Sequence, residues 1–376
     1  MNILFVEISL NPNGGGIERV TDIISGYLTS QGHKCYYLYS QTDNPLYKEN
    51  QKLKINYHNR HKKEFEKVLY QYILNNKIGI IINQDLYSAN LIQFYQKYKY
   101  KLNFRLINCF HLSPDFYLYQ QIHGIKYKIK YWIYQYIVRT NLFVSERRKM
   151  YKICDKFVLL SNSFIPSFAQ LYKLKDKNKL YSISNPLPFP KQNIDLKEKK
   201  KVVLIIARFF EVQKNIKSAL RIWKSIEKQG YDTWQLKIVG YGQDEVELKE
   251  YAQKLNLKHI SFEGKKENVS DYYKEASIFM MTSNYEGFGM TLIEAQQHGC
   301  IPIVFDNFSV LHDIIQHKYN GYIIPAGDEL LYTKTITHLL ENQKERDTVA
   351  INAYHSSNKF SIMEIGKKWD DLLSKL

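Results

Sequence analysis

One stretch of sequence decides the fold: Ser283-Asn284-Tyr285-Glu286-Gly287-Phe288-Gly289-Met290-Thr291-Leu292-Ile293-Glu294-Ala295. The apolar run before it, residues 276–281, predicts a buried strand, and the amphipathic run after it, residues 290–298, predicts a helix. Glu286 is therefore expected in a glycine-rich loop at the C-terminal edge of a sheet. Glu294 is expected inside the helix that follows this loop.

The start of the predicted helix is suited to bind a phosphate group. The N–H groups of a helix's first turn have no partner within the helix, and the helix dipole favours negative charge there. Gly287 and Gly289 allow a ligand to approach the main chain closely. Carboxylates on either side of such a site are suited to bind hydroxyl groups. The stretch therefore indicates a sugar nucleotide, with its sugar beside one glutamate and its ribose beside the other.

These residues resemble the glutamate–seven residues–glutamate motif of the retaining glycosyltransferases of family four, the glycosyl transferases group 1, and residues 295–304 resemble the same family. The resemblance implies the α/β GT-B fold, in which two Rossmann-like, doubly wound lobes face each other across a cleft. It implies a hexosyltransferase that retains the anomeric configuration and needs no metal or other cofactor. Glu286 is then expected at the transferred sugar and Glu294 at the ribose. The implied donor site contains Glu286, Gly287, Phe288, Gly289, Met290, Thr291 and Glu294.

A second group of candidate residues follows the first predicted strand of the second half, residues 202–207. Arg208 and Lys214 lie in the loop after this strand, where two cations can neutralise a diphosphate. Fixed cations there also stabilise the charge that builds on the leaving phosphate as the glycosidic bond breaks. The pair resembles the arginine and lysine of the same family, although Ala207 stands where many members carry glycine.

Other candidate positions give weaker indications. Gly240 and Gly242 form a predicted tight turn after the strand 236–239, and the resemblance places the donor near this turn. Lys265 follows the next strand, in the loop where relatives hold the nucleotide base through main-chain contacts. The resemblance therefore implies a binding region here more than individual contacts.

In the first half, Gly15 and Gly16 lie in the loop 13–19 between the first strand and the first helix. This loop resembles the first loop of the family, which contacts the donor diphosphate or the acceptor. A dinucleotide-binding fingerprint is the alternative, but the glycine spacing differs and residues 39–42 lack the acidic residue that would bind a ribose. His111 follows a predicted strand and either contacts the transferred sugar, as a family histidine does, or supports its own loop.

The organisation of the chain favours two lobes in series. A length of 376 residues exceeds one ordinary core, and strand-like runs alternate with helix-like runs in both halves. We expect an acceptor-binding lobe at residues 1–187 and a nucleotide-sugar-binding lobe at residues 200–360. A proline-rich boundary and a solvated charge run at residues 197–201 separate them. The terminal helix, residues 361–376, either crosses back to the first lobe or remains the last helix of the second.

The composition of the chain indicates in which part of the cell the protein is expected. Hydrophobic residues make up 44% of the chain, but no apolar run approaches the ~18–20 residues of a membrane span. The N-terminus indicates a first strand and not a signal peptide. Four widely spaced cysteines lack metal-like pairing and favour a reducing cytoplasm. They are Cys35, Cys109, Cys154 and Cys300.

Positive charge is concentrated in the first half. Residues 1–190 contain 27 Lys and Arg against 12 Asp and Glu, whereas residues 191–376 contain 26 against 25. The segment 117–152 is basic, aromatic and amphipathic, which is typical of helices that lie on anionic membranes. The alternative is a core helix with a solvated basic face. Nothing else in the chain resembles a nucleic-acid-binding module.

The sequence thus predicts an enzyme at the inner face of the cell membrane, cytoplasmic and peripheral. It would move a sugar, with a UDP-sugar donor favoured, to a lipid-linked or other surface glycan precursor, such as one for a bacterial capsule or lipopolysaccharide. The expected partners are the nucleotide sugar, the glycan acceptor and the anionic membrane, without nucleic acid. The alternatives are a nonhydrolysing sugar-nucleotide epimerase of the same fold, a dinucleotide-dependent oxidoreductase and a catalytically silent binding subunit.

Overall fold

The computed structural model describes residues 1–11, 15–58, 62–86, 88–114, 142–191 and 193–376. The chain divides into two compact units. The first unit comprises Met1–Pro188 together with Ile362–Leu376, and the second comprises Phe189–Ser361. Most of the predicted membrane segment, residues 117–141, lies outside the described residues, as do Asn13 and Gly14 of the first glycine loop.

The first unit contains a seven-stranded parallel sheet. The spatial order β3-β2-β1-β4-β5-β6-β7 reverses direction between β1 and β4, as in doubly wound α/β folds. Apolar runs such as that of β4 suit strands that are covered on both faces. The strands are β1 (Asn2–Val6), β2 (Lys34–Tyr39), β3 (Lys52–Lys54), β4 (Ile80–Asn83), β5 (Arg105–Phe110), β6 (Lys156–Leu159) and β7 (Leu180–Ser182).

Helices connect these strands. The helix that follows β1, here called the first helix (Gly16–Ser30), packs Val20, Ile24 and Leu28 into the same core cluster as Ile3 and Phe5. Ile3 and Phe5 share one face of β1 because side chains alternate along a strand. The other described α-helices of this unit, apart from the terminal helix, are Lys62–Asn75, Ala89–Leu102, Leu142–Ile153 and Phe164–Leu171.

The terminal helix (Ile362–Ser374) belongs to the first unit. Its apolar side chains complete the core cluster that the first helix and β1 begin, and they are Ile365, Trp369, Leu372 and Leu373. The Tyr27 hydroxyl donates to the Asp370 carboxylate at 2.7 Å. Gly366 lets the two helices approach, since a Cβ there would lie 2.3 Å from the Tyr27 ring. The last helix is therefore an integral part of the first unit's core.

The second unit contains a six-stranded parallel sheet in the order β10-β9-β8-β11-β12-β13. This order reverses between β8 and β11, so the second unit is also doubly wound. The two parallel-sheet units confirm the predicted Rossmann-like architecture. The strands are β8 (Lys200–Ile206), β9 (Gln235–Val239), β10 (Ile260–Gly264), β11 (Ala276–Met281), β12 (Ile301–Phe305) and β13 (Tyr322–Ile324).

The core of the second unit is built around Trp223, which is completely buried and donates its indole N–H to the His259 carbonyl at 3.1 Å. The helix that follows β11 is here called the motif helix (Met290–Gln297). The other described α-helices are Glu211–Lys214, Ile216–Glu227, Glu245–Lys254, Ser270–Glu275, Leu311–Ile314, Glu329–Glu341 and Gln343–Ser357. Among the described residues, no helix combines the length and the apolar character that crossing a membrane requires.

The prediction that residues 197–201 form a solvated charge run is wrong at Lys199. Its Nζ donates to three main-chain carbonyls, those of Tyr273 at 2.9 Å, Ala276 at 2.8 Å and His298 at 2.7 Å. Burial lowers the pKa of the Lys199 ammonium. Lys200 and Lys201 are exposed and begin β8. Lys199 is therefore a structural cation, because the fold directs its side chain towards the ends of two helices and of a strand.

Candidate functional site

Three loops of the second unit carry most of the predicted donor-binding residues. They follow β8, β9 and β11, which are neighbours in the sheet. Because the strands are parallel, their carboxyl ends meet at one edge of the sheet, where ligands bind in doubly wound folds. The loop after β8 carries Arg208, and the loop after β11 carries Glu286, but Lys214 ends the short helix Glu211–Lys214 and does not lie in the loop itself as predicted. The topology therefore assembles residues that are more than seventy positions apart in the chain.

Lys214 and Glu286 form an ion pair. The Lys214 Nζ donates to Glu286 Oε1 at 2.6 Å, and the two side chains are only 16% and 9% exposed. Such a charge-assisted hydrogen bond is among the stronger contacts in proteins. The structure thus brings a predicted phosphate-binding cation and a predicted sugar-binding carboxylate into direct contact.

Hydrogen bonds to main-chain carbonyls, most of them from side-chain donors, hold the two segments together. The Asn284 N–H donates to the Gln213 carbonyl at 2.7 Å, and the Asn284 side-chain amide donates to the Val212 carbonyl at 3.0 Å. The Gln213 side-chain amide donates to the Tyr285 main-chain carbonyl at 3.3 Å, and the Thr282 hydroxyl donates to the Asn215 main-chain carbonyl at 2.9 Å. Lys214 and Glu286 are therefore placed by a frame of hydrogen bonds. The sequence did not indicate this frame, because it joins loops that are distant along the chain.

Arg208 is exposed, and within the described part of the chain no hydrogen bond or ion pair of its guanidinium is observed. The glycine turn after β9 packs against its loop. A Cβ on Gly240 would lie 1.8 Å from the Ala207 carbonyl oxygen, and one on Gly242 would lie 2.2 Å from the Phe209 carbonyl oxygen. The Phe209 N–H also donates to the Tyr241 carbonyl at 2.8 Å. The two glycines therefore allow the close backbone approach that positions Arg208.

The motif helix begins beside the ion pair. Gly289 precedes it with φ +83°, a left-handed conformation that suits glycine. Met290 and Thr291 in the first turn are partly exposed, whereas Phe288 is buried and packs edge-on against Phe360 with ring centroids 5.7 Å apart. Phe288 thus anchors the loop through its side chain. A ligand at this helix end would meet main-chain N–H groups, which a helix leaves unpaired in its first turn.

Glu294 lies inside the motif helix and is 3% exposed. Its Oε2 accepts a hydrogen bond from the Tyr273 hydroxyl at 2.9 Å. Tyr273 is itself completely buried. Sequence reasoning missed this tyrosine, since the only pattern it carries is that of an ordinary helix residue before a strand.

Lys265 follows β10 and is exposed. Its Nζ lies 4.9 Å from the centre of the Tyr241 ring, and Tyr241 is 48% exposed between its two glycines. A cation over a tyrosine face is an attractive contact of about 0.5–1 kcal/mol at exposed sites. The turn after β9 and the loop after β10 are therefore neighbours. Tyr241 is a second residue that sequence reasoning passed over, although an aromatic side chain between two glycines was a visible feature.

The remaining predicted residues belong to the first unit. Gly15 precedes the first helix and Gly16 begins it. A Cβ on Gly15 would lie 2.6 Å from Oε2 of Glu18, so the carboxylate of Glu18 lies over this helix end. At this helix terminus the chain itself supplies a negative group.

His111 follows β5, and both its ring nitrogens are buried without a hydrogen-bond partner in the described residues. Burial lowers the pKa of His111 to about 4, so the imidazole is neutral at pH 7. Within the described ranges, no group of three or more His, Cys, Asp and Glu side chains is arranged to hold a metal ion.

Comparison with known proteins agrees with the architecture. The sequence model of the family described as glycosyl transferases group 1 matches residues 189–356. The chain is 26% identical over 377 residues to the amylovoran biosynthesis glycosyltransferase AmsD of Erwinia amylovora, a match that covers 96% of this chain and 97% of that protein.

Two further similarities are of different kinds. A Campylobacter jejuni enzyme, GalNAc-alpha-(1->4)-GalNAc-alpha-(1->3)-diNAcBac-PP-undecaprenol alpha-1,4-N-acetyl-D-galactosaminyltransferase, is 26% identical over 179 residues, 48% of this chain and 49% of that enzyme. The crystal structure of Anabaena HepE in complex with UDP has the same fold, with a TM-score of 0.74, 15% identity and full coverage of both chains. Residues 189–356, which lie within the second unit, thus match the glycosyl transferases group 1 family, and the whole chain is similar to a glycosyltransferase of polysaccharide biosynthesis.

Proposed function

We propose that this protein transfers a hexose from a nucleoside-diphosphate sugar, with UDP as the favoured nucleotide, to a lipid-linked or surface polysaccharide precursor. The observation that carries the proposal is the ion pair between Lys214 and Glu286 at 2.6 Å, beside the first turn of the motif helix. It sets a cation for phosphate and a carboxylate for sugar hydroxyls side by side. Their separation suits a donor in which the sugar is attached directly to a phosphate.

Different residues of the second unit bind different parts of the donor. The Arg208 guanidinium and the Lys214 ammonium neutralise the diphosphate, and the N–H groups at the start of the motif helix bind its oxygens. Glu286 accepts hydrogen bonds from the transferred sugar, and Glu294 accepts them from the ribose. Lys265 and Tyr241 lie at the loop that contacts the base.

The reaction proceeds as the bond between the anomeric carbon and the leaving phosphate oxygen breaks. Negative charge grows on that phosphate, and Arg208 and Lys214 stabilise it most at that moment. Two fixed cations can supply this stabilisation, so we propose a metal-independent reaction. We further propose that the acceptor hydroxyl oxygen attacks the anomeric carbon from the face that the phosphate leaves and passes its proton to the leaving phosphate oxygen. Attack from this face retains the anomeric configuration.

The acceptor and the location of the enzyme are inferred from its relatives and its charge. AmsD is named for the synthesis of a polysaccharide, and the Campylobacter jejuni enzyme for a substrate linked to undecaprenyl diphosphate. The first 190 residues carry a net charge of +15, which suits an anionic surface. We therefore propose that the first unit meets the acceptor at the cytoplasmic face of a membrane.

The test is a panel of sugar nucleotides incubated with the purified protein, with and without an undecaprenyl-diphosphate-linked glycan. We expect release of the nucleoside diphosphate that depends on one donor and on the acceptor, and a product whose anomeric configuration, measured by NMR, equals that of the donor. An epimerase would convert the sugar nucleotide without acceptor, and an oxidoreductase would change the nicotinamide absorbance. Either result, or an inverted product, would contradict the proposal at a distinct step.

A further inference from the structure

The carboxylate of Glu294 is held by a buried side chain that takes no part in the donor contacts proposed above. Tyr273, the fourth residue of the helix Ser270–Glu275, donates its hydroxyl to Glu294 Oε2 at 2.9 Å. Both residues are buried, with exposures of 0% and 3%. A hydrogen bond between two buried groups restricts the orientation of each, and loss of one partner leaves the other buried without its bond.

The Tyr273 ring is fixed as well as its hydroxyl. It stacks on the His298 ring, with centroids 5.3 Å apart and an angle of 22° between the planes. His298 donates from Nδ1 to the Glu294 carbonyl at 2.8 Å, and its Nε2 lies 2.9 Å from the Ser270 hydroxyl. The tyrosine and the glutamate are therefore linked twice, once through the hydroxyl and once through the histidine ring.

Lys199 joins the two helices that carry this pair. One ammonium group binds the carbonyl of Tyr273 and the carbonyl of His298, which follows the motif helix, at 2.9 and 2.7 Å. A cation is favourable at the C-terminal end of a helix, and here one cation serves two helix ends. Lys199 thereby fixes the distance between the helix Ser270–Glu275 and the motif helix, and it does so near the Tyr273–Glu294 contact.

We propose that Tyr273 is a positioning residue for ribose recognition. Its hydroxyl holds the Glu294 carboxylate in the orientation that accepts hydrogen bonds from the ribose hydroxyls, so that Tyr273 determines how strongly the enzyme prefers a ribonucleotide to a deoxyribonucleotide. This proposal rests on the proposed function, in which Glu294 binds the ribose. Tyr273 itself touches neither sugar nor nucleotide.

The test compares the affinity for UDP with that for 2′,3′-dideoxy-UDP, measured by calorimetry on the full chain. In the parent protein we expect UDP to bind more tightly. Tyr273→Phe should weaken UDP binding about tenfold, which corresponds to ~1.4 kcal/mol, and leave dideoxy-UDP binding unchanged. The matched control is Tyr322→Phe, which removes another tyrosine hydroxyl that donates to a glutamate of the same unit, Glu345. It should bind both nucleotides as the parent does.

Glu294→Gln distinguishes a failure of the proposed donor site from a failure of the proposed role of Tyr273. If this variant keeps the preference for UDP, Glu294 does not bind the ribose, and the proposed donor site is wrong. If Glu294→Gln abolishes the preference while Tyr273→Phe retains it, only the role of Tyr273 is overturned. A loss of thermal stability in Tyr273→Phe with an unchanged preference would likewise reduce the tyrosine to a structural role.

The double variant Tyr273→Phe/Glu294→Gln keeps the test decisive if the single tyrosine variant does not fold, because it contains no buried carboxylate that has lost the tyrosine donor. Since Tyr273 is proposed to act only through Glu294, the double variant should bind UDP and dideoxy-UDP as Glu294→Gln does. A further loss of UDP affinity in the double variant would show that Tyr273 acts by another route, and would overturn the proposal.

Discussion

Lys214 and Glu286 form an ion pair, and a donor that binds here must either break this pair or contact both of its members. In the structure each neutralises the other in a setting that is mostly shielded from water. A diphosphate would take up the charge of Lys214, and sugar hydroxyls would donate to Glu286. The chain thus keeps both groups in place before the donor arrives, which reduces the reorganisation that binding requires.

The two cations should respond differently to removal. Arg208→Ala and Lys214→Ala should each lower kcat/KM by about 10²–10³, the loss expected for a preorganised charge contact. Lys214→Ala should also destabilise the second unit by about 1–3 kcal/mol, because Glu286 loses its partner. Arg208→Ala should not, since Arg208 is exposed. Steady-state kinetics and urea unfolding measure the two effects.

Lys217→Ala is the control for this comparison, because it removes a cation of the same unit whose partner, Glu247, is on the surface. Its kinetics should equal those of the parent. If Arg208→Ala and Lys214→Ala also show parental kinetics, neither residue contacts the donor diphosphate.

Substitution of the two glutamates should have different effects, one on turnover and the other on nucleotide binding. Glu286→Gln should lower kcat and leave the affinity for free UDP nearly unchanged, because free UDP lacks the sugar that Glu286 contacts. Glu294→Gln should instead weaken UDP binding, since UDP retains its ribose. Calorimetry with UDP and initial rates with the sugar nucleotide measure both. The opposite division of effects would exchange the roles of the two residues within the same site.

Residue types and their position after predicted strands were sufficient to predict that Arg208, Lys214 and Glu286 lie at the same edge of one sheet, whereas their roles in donor binding stay a prediction. Each follows a continuous apolar run, and the carboxyl ends of parallel strands converge. Tyr273 and Lys199 could not be predicted in the same way. Lys199 contacts carbonyls 74 to 99 positions further along the chain, so nothing in its local sequence distinguishes it from the exposed lysines that follow.

At the scale of elements, Lys199 connects the helix Ser270–Glu275, β11 and the motif helix. Its ammonium donates to carbonyls at Tyr273, Ala276 and His298, and the Cys300 thiol also lies within donor distance of the first two. Elements that lie side by side in the second unit thus share one charged group. The stability of the motif helix therefore depends on a residue that precedes β8.

Lys199→Met should therefore destabilise the second unit by about 2 kcal/mol or more, because three carbonyls lose the ammonium as a donor and the Cys300 thiol can serve only one of them, while the aliphatic chain is largely retained. Lys201→Met, a change of the same kind at an exposed lysine two residues later, should have an effect within about 0.5 kcal/mol. Urea unfolding followed by far-UV circular dichroism distinguishes them. Equal midpoints for the two variants would contradict a structural role of the buried ammonium.

His298 should make the second unit sensitive to acid. Burial lowers the pKa of His298 to about 4, below its ordinary value near 6.5. Between these values the unfolded chain binds a proton that the native histidine does not, so stability falls as pH falls from about 6.5 towards 4. From pH 7 to pH 5 this histidine should cost about 2 kcal/mol.

The variant His298→Gln removes this titration. It should be less stable than the parent at pH 7, but it should lose about 2 kcal/mol less on acidification to pH 5. Urea unfolding at the two pH values gives both differences. Parallel losses in parent and variant would mean that His298 is protonated in the native protein at pH 5.

Long elements were predictable, and short ones were not. Strand β11 has the bounds that its apolar run predicts, and β9 and the motif helix each differ from their predicted bounds by one residue. The edge strands β3, β7 and β13 have three residues each, which is too short for a hydrophobic period to appear. Pairing with a neighbouring strand defines them, and pairing is not visible in one sequence.

At the scale of the whole molecule, the excess positive charge and the hydrophobic core of the first unit come from different parts of the chain. The first unit carries most of the excess positive charge, whereas its core requires the terminal helix from the other end of the chain. The alternation of elements predicted two units, but it left the terminal helix between two assignments. Ile365, Trp369 and Leu372 decide the matter, since they belong to the core cluster of the first helix.

Membrane association should depend on charge. The protein should float with vesicles that contain anionic lipid and not with zwitterionic vesicles, and salt should weaken the association because the Debye length is ~10 Å at ~0.1 M. Replacing Lys126, Lys128 and Lys130 with Gln should weaken it by about 1 kcal/mol per charge. The same replacement at Lys249, Lys254 and Lys258 of the second unit is the control. Equal flotation of both triple variants would contradict a role of the basic segment.

The terminal helix has a consequence for synthesis on the ribosome. The second unit, Phe189–Ser361, is continuous in sequence, whereas the first unit is interrupted by it. A ribosome therefore completes the whole second unit before it makes the helix that covers the first helix and β1. During that interval the nascent first unit exposes the apolar surface that Trp369 and Leu373 later cover. The order of translation makes the first unit, although made earlier, the later one to reach its final state.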